Sequence, residues 1–190
     1  MTAGLETPVP LLQKHVEFRA LLNLYQERKP KRVLEIGTFH GGTLYHWLRQ
    51  ATTGAVVVSV DSYAVGADNR HLYPEWVPAG VRLHVIGGDS RSPETIAQVA
   101  AQAPFDWCFV DADHSYEAVA DDWRNYRPMV RGVLCLHDII AAHVGVPHLW
   151  REIQRQGYLT QELVGPHQPG EPEWGLRPDT PWGGIGLVYL

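Results

Sequence analysis

The chain has 190 residues, 45% of them hydrophobic and 19% charged, which suits one domain with its own core and excludes a disordered tail. Lys and Arg number 16 against 21 Asp and Glu, a formal charge of −5, so the basic face that broad nucleic-acid binding needs is missing. No apolar run approaches the roughly 20 residues of a membrane span, and MTAGLETPVP lacks the basic start and apolar stretch of a signal peptide. Cys108 and Cys135 sit in apolar runs, not in a CxxC pair, and read as buried free thiols of a reducing compartment. The expectation is a cytoplasmic single domain spanning residues 1–190, with no nucleic-acid or membrane partner.

In chain order, Leu11, Leu12, Val16, Phe18, Leu21, Leu22 and Tyr25 recur at helical spacing and predict an amphipathic helix over about 10–28, a lid or interface element. Strand and helix patterns then alternate. Strands are expected at Val33–Ile36, Val56–Val60, Val81–Ile86, Trp107–Val110 and Val133–Leu136. Helices are expected around Leu44–Leu48, from Ser92-Pro93 through Ala100, over Tyr116–Trp123 and around Leu149–Ile153. Ser92 is a candidate cap with a first-turn proline behind it. Asp113 and Ser115 are cap candidates for the next helix. Tyr116–Trp123 reads as a core stripe. Tyr63, Tyr73, Trp76, Trp174 and Trp182 fall in loops, where aromatics more often form a binding wall. Two late strands lie near Tyr158–Val164 and Ile185–Leu190, with the Pro- and Gly-rich stretch 165–184 between them.

Continuous apolar strands alternating with helices imply an α/β fold, a doubly wound, mostly parallel sheet with helices on both faces. Five successive strands end in Gly, Asp or His-Asp. In open α/β sheets ligands bind beyond the carboxyl ends of the strands, so the polar residues fall where a crevice should be.

The first strand runs into Glu35-Ile36-Gly37-Thr38-Phe39-His40-Gly41-Gly42, a turn that lets a ligand approach the backbone. It is E-x-G-x-x-x-G, not the GxGxxG that suits a pyrophosphate. Asp61 ends the second strand, where a carboxylate can accept from both hydroxyls of a ribose. Asp89 ends the third and, with Ser90, could meet an adenine amino group. Asp111, His137 and Asp138 end the fourth and fifth strands. If those strands are neighbours, their ends stand about 4.8 Å apart. Two carboxylates and an imidazole then make a hard O/N set suited to Mg²⁺, Mn²⁺ or Fe²⁺. Helix capping by Asp138 and a surface position for His114 are the bland alternatives.

On Val33-Leu34-Glu35-Ile36-Gly37-Thr38 with Gly41, then Val60-Asp61, then Gly88-Asp89-Ser90, the chain resembles the class I S-adenosylmethionine-dependent methyltransferases. The resemblance covers about residues 30–140. It implies cofactor contacts from Glu35, Gly37 (methionine end), Thr38, Gly41, Asp61 (ribose), Asp89 (adenine) and Ser90. It also implies a seven-stranded Rossmann-like sheet of order 3-2-1-4-5-7-6 with one antiparallel strand. Phe109-Val110-Asp111-Ala112-Asp113-His114-Ser115-Tyr116 with Leu136-His137-Asp138 resembles a narrower group, the metal-dependent natural-product and sugar O-methyltransferases and the cephalosporin-hydroxylase-like proteins. That resemblance implies metal ligation by Asp111, His137 and Asp138 and a general base at His114. Here His137 stands where those relatives carry a carboxylate, which shifts the metal preference from Mg²⁺ towards Mn²⁺, Fe²⁺ or Zn²⁺.

The function expected is transfer of a methyl group to a hydroxyl of a small sugar-like or other natural-product acceptor. The acceptor pocket would come from loop 62–80, the N-terminal helix, loop 165–184 or a second subunit of a homo-oligomer. Two other readings compete: an NAD(P)-dependent Rossmann oxidoreductase, and a catalytically idle nucleoside-binding or assembly protein.

Overall fold

The computed structural model describes residues 5–66, 68–168, 171 and 180–190. In these residues seven strands form one sheet. In chain order the main elements are α1 (His15–Arg28), β1 (Arg32–Ile36), α2 (Gly42–Gln50), β2 (Val56–Asp61), α3 (Tyr73–Trp76), β3 (Arg82–Gly87), α4 (Pro93–Ala100), β4 (Phe105–Val110), α5 (Tyr116–Tyr126), β5 (Val130–His137), α6 (Val146–Arg155), β6 (Leu159–Leu163) and β7 (Ile185–Tyr189). The order across the sheet is β3-β2-β1-β4-β5-β7-β6, as the resemblance implied. β1 to β5 pair in parallel, and β7 runs antiparallel between β5 and β6.

Two apolar layers hold the sheet. Because successive side chains on a strand face opposite sides, Leu34 and Ile36 of β1 join Val99, Val119, Trp123 and Trp150 on one face. Val33 faces the other way, with Phe18, Leu21, Leu44 and Trp47 of α1 and α2. The caps work as their chemistry suggests: the Ser92 and Ser115 side chains accept from the backbone N–H of Thr95 and Ala118. Asp113 braces the second cap by accepting from Ser115 N at 2.9 Å.

Three expectations change. The first helix begins at His15, not after Pro10, because Lys14 is extended (φ −59°, ψ 129°). Residues 5–14 instead form a strap that buries Leu5, Val9 and Leu11 against α1, α2 and α3. It seats where Gly42 leaves room, since a Cβ there would stand 2.4 Å from the Pro10 carbonyl oxygen. Tyr73 and Trp76 are not loop aromatics but the buried face of α3. Tyr116 is exposed and donates to Glu152, so the core stripe of α5 starts at Ala118. Trp174 lies outside the described residues, and Trp182 is half-buried beneath the Lys14 ammonium.

Candidate functional site

The strand order reverses between β1 and β4, and a cavity of about 790 Å³ opens there at the carboxyl ends of the strands. That volume falls within the roughly 300–1,000 Å³ of small-molecule sites. Gly37, Thr38, Asp61, Asp89 and Ser90 line it from one side, and Asp111, His114, His137 and Asp138 from the other. Both expected constellations therefore share one space.

At the nucleoside side the Asp61 carboxylate is pinned by two backbone donors, Phe39 N at 2.7 Å and Tyr63 N at 2.6 Å. Its position is set by the main chain and not by a flexible cation. Gly37 has φ +87°, and a Cβ there would come within 2.2 Å of the Asp111 carbonyl oxygen. Only glycine allows β1 and β4 to run into this crossing so closely. Asp89 is exposed beside Arg91 at 3.1 Å. The Ser90 carbonyl is held by the Tyr126 hydroxyl at 2.5 Å.

Two expected contacts lie elsewhere. Glu35 faces α2, where its Oε1 accepts from Thr43 Oγ1 at 2.6 Å and Trp47 Nε1 at 2.8 Å. It is fully buried and absent from the cavity wall. Burial pushes its pKa up to about 7, against the pull of its hydrogen bonds. Gly41 also lies off the wall; it forms the left-handed turn (φ +92°) that starts α2 against Tyr73 and Trp76. Both residues shape the loop from behind, because alternation on β1 sends Glu35 to the α2 side.

At the other end four side chains interlock. His137 Nδ1 lies 3.0 Å from Asp111 Oδ1 and 3.7 Å from Asp138 Oδ1. His114 Nδ1 lies 2.6 Å from Asp138 Oδ2, with its Nε2 3.5 Å from Asp111 Oδ1. Asp138 has φ +63° and also accepts from Gly183 N at 2.9 Å. Burial opposes charge on His137, but Asp111 and Asp138 outweigh it and raise its pKa to about 9. Burial likewise opposes ionisation of Asp138, yet His137, His114 and Gly183 hold it down at about 2. The same contest ends with the His114 pKa raised.

Two carboxylates and two imidazoles have the donor chemistry of a divalent-ion site. Their placement differs from one. The donors bond to each other, and among the described residues no group of three or more His, Cys, Asp or Glu side chains is arranged to hold a metal. The expected set of Asp111, His137 and Asp138 is thus assembled as a hydrogen-bonded network. His137 makes this possible: an imidazolium between two carboxylates offsets their repulsion.

Sequence reasoning missed the strap. Pro10, Leu12 and Gln13 line the cavity, and Gln13 Nε2 donates to Asp111 Oδ2 at 2.6 Å. These residues are 98 apart in the chain, so no local pattern could signal the contact. Phe39, His40 and His143 also line the space. Two buried atoms on wall residues have no partner, Gln13 Oε1 and His137 Nε2. No described helix is long and apolar enough to cross a membrane.

No curated protein sequence matches the chain. In fold it is similar to an O-methyltransferase from Bacillus cereus solved in complex with SAH (TM-score 0.64, 18% identity, 92% of this chain and 80% of that one). It is also similar to the O-methyltransferase TomG from Streptomyces achromogenes, involved in tomaymycin synthesis and solved with SAM (TM-score 0.64, 19% identity, 90% and 78%). A third similar structure is the MycE methyltransferase of the mycinamycin biosynthetic pathway, solved with Mg and SAH (TM-score 0.58, 18% identity, 90% and 48%). The family model described as a methyltransferase domain matches residues 34–139, which carry β1 to β5 and every expected site residue, and the chain belongs to that methyltransferase family.

Proposed function

We propose that this methyltransferase moves the methyl group of S-adenosylmethionine to a hydroxyl of a small molecule, with His114 as the base. The observation that carries the reading is the single cavity in which Gly37, Asp61 and Asp89 face Asp111, His114, His137 and Asp138. The O-methyltransferases of similar fold, solved with SAM or SAH, support it. The sulfonium needs no activation by the protein. The chain must align the acceptor oxygen and remove its proton as the O–CH₃ bond forms and the S–CH₃ bond breaks. Asp138 accepts from His114 Nδ1, so in the neutral ring Nε2 keeps its lone pair for that proton.

A divalent ion belongs to this proposal in its fuller form. Asp111, Asp138 and a neutral His137 would hold it, and its chemistry is to lower the pKa of an acceptor hydroxyl. Support comes from the two carboxylates on neighbouring strands and from the Mg found in MycE. Sugar-like and other natural-product acceptors fit the open side of the cavity, where Ser62 and Val65 stand, with a second subunit as a further source of acceptor wall.

Thermal unfolding with S-adenosylhomocysteine and with NADH tests the cofactor. S-adenosylhomocysteine at 100 times its Kd should add about 2.7 kcal/mol of stability, and NADH none. The reverse result would transfer the chain to the oxidoreductase reading. A screen of hydroxylated acceptors with and without chelator tests the rest: binding without any turnover favours the idle protein, and full turnover after chelation removes the ion.

A further inference from the structure

Glu17 sits on the inner face of α1, 1% exposed and absent from the cavity wall. It reaches the site through the main chain. Its Oε2 accepts from Gly184 N at 2.8 Å, across 167 residues. The preceding N–H, that of Gly183, donates to Asp138 Oδ1 at 2.9 Å. Adjacent N–H groups of one turn thus serve two carboxylates, one on α1 and one in the catalytic cluster.

The turn depends on both. Gly183 and Gly184 have φ of +77° and +79°, and a Cβ on Gly183 would stand 2.9 Å from Glu17 Oε2, so glycine is needed and brings backbone freedom with it. The planar Gly183–Gly184 peptide is clamped on two sides: Ile140 N donates to its carbonyl at 3.1 Å, and Glu17 receives its N–H. Glu17 is itself anchored elsewhere, by Gly165 N at 2.9 Å and Lys14 Nζ at 3.6 Å. Asp138 then divides its oxygens. Oδ1 takes the Gly183 N–H and Oδ2 takes His114 Nδ1 at 2.6 Å. With the turn released, Oδ1 loses its donor and the carboxylate can rotate away from the ring.

We infer that Glu17 is a positioning residue: by holding the Gly183–Gly184 turn it aims the Gly183 N–H at Asp138 and so fixes the tautomer of His114. The inference rests on the reading of His114 as the base. Glu17 lies outside the stretch 34–139 matched by the family model, so membership of the family does not assign it this role.

Long-range ¹H–¹⁵N spectra of the ¹⁵N-histidine-labelled protein, recorded where the His114 ring is neutral, test it in wild type, Glu17→Leu and Glu17→Asp. Leucine removes both acceptors. Aspartate keeps the charge beside Lys14 but is shorter by one carbon–carbon bond, about 1.5 Å, and falls short of the turn. Wild type should carry the His114 proton on Nδ1. In both variants the proton should be shared between the two nitrogens, so that their separate ¹⁵N shifts draw together. His46, whose ring packs 5.3 Å from that of Phe18 on α1, should keep its signals and so reports on α1 as a whole. An unchanged His114 in either folded variant would overturn the inference. Movement of His46 together with His114 would also overturn it, because that marks Glu17 as a general support of α1. A wild-type His114 with its proton on Nε2 would instead remove the base reading itself, a result distinct from both.

Discussion

His114 and Asp138 form the shortest contact of the candidate catalytic cluster, with Nδ1 and Oδ2 2.6 Å apart. The carboxylate fixes the ring's orientation and leaves Nε2, 3.5 Å from Asp111 Oδ1, as the basic nitrogen. Asp138 can do this because two further groups, His137 and Gly183 N, hold its own charge in place.

From that contact, His114→Ala should lower the rate by about 10²–10⁴-fold while S-adenosylhomocysteine binds as before. Raising the pH should restore part of the rate, because hydroxide can replace a missing base. Asp138→Asn should lower the rate as well, by misdirecting the ring. Single-turnover rates from pH 6 to 10 check both variants; a His114→Ala enzyme of normal rate would end the assignment.

Asp61→Ala should abolish most of the stabilisation by S-adenosylhomocysteine. The carboxylate sits in the wall on two backbone N–H groups, and alanine leaves nothing to meet a ribose. Thermal shift against ligand concentration measures the loss. Asp89→Ala should have a smaller effect, since Asp89 is exposed and already shared with Arg91.

Glu35 predicts a pH dependence of stability. Burial raises its pKa from 4.5 to about 7 in the folded protein, so folding favours the protonated acid. The associated stability is fully present below pH 4.5 and is lost as pH rises through about 7, on the order of 3 kcal/mol in total. Glu35→Gln should flatten the curve in that window. His137 contributes a fall of the same sign at higher pH, between 6.5 and about 9. Urea unfolding of wild type and Glu35→Gln from pH 4 to 9 separates the two windows.

Gly42→Ala should dislodge the strap. The new Cβ would lie 2.4 Å from the Pro10 carbonyl oxygen and 2.9 Å from Leu11 Cα, both main-chain atoms that cannot move alone. Overpacking of this kind costs about 1–3 kcal/mol. Limited proteolysis should show faster cleavage before α1 than in wild type, with the rest of the domain intact.

The architecture was legible in the sequence because its signals are local. Runs such as Val56–Val60, caps such as Ser92 and Ser115, and polar strand ends at Asp61, Asp111 and His137-Asp138 are each read within a few residues. The resemblance then supplied the strand order. What the sequence left open depends on which face a residue takes and what comes to meet it. Glu35 belongs to the glycine-loop motif, yet β-strand alternation sends its carboxyl into the α2 interface. The sequence could place His137 and Asp111 on neighbouring strand ends; only packing decided that they bond to each other, because a buried imidazole gains more from two adjacent carboxylates than it loses to desolvation. Gln13 reaches Asp111 across 98 residues, and such a contact has no period or spacing to announce it. The sequence by itself determined the sheet and the crevice; tertiary structure decided which side chains close it.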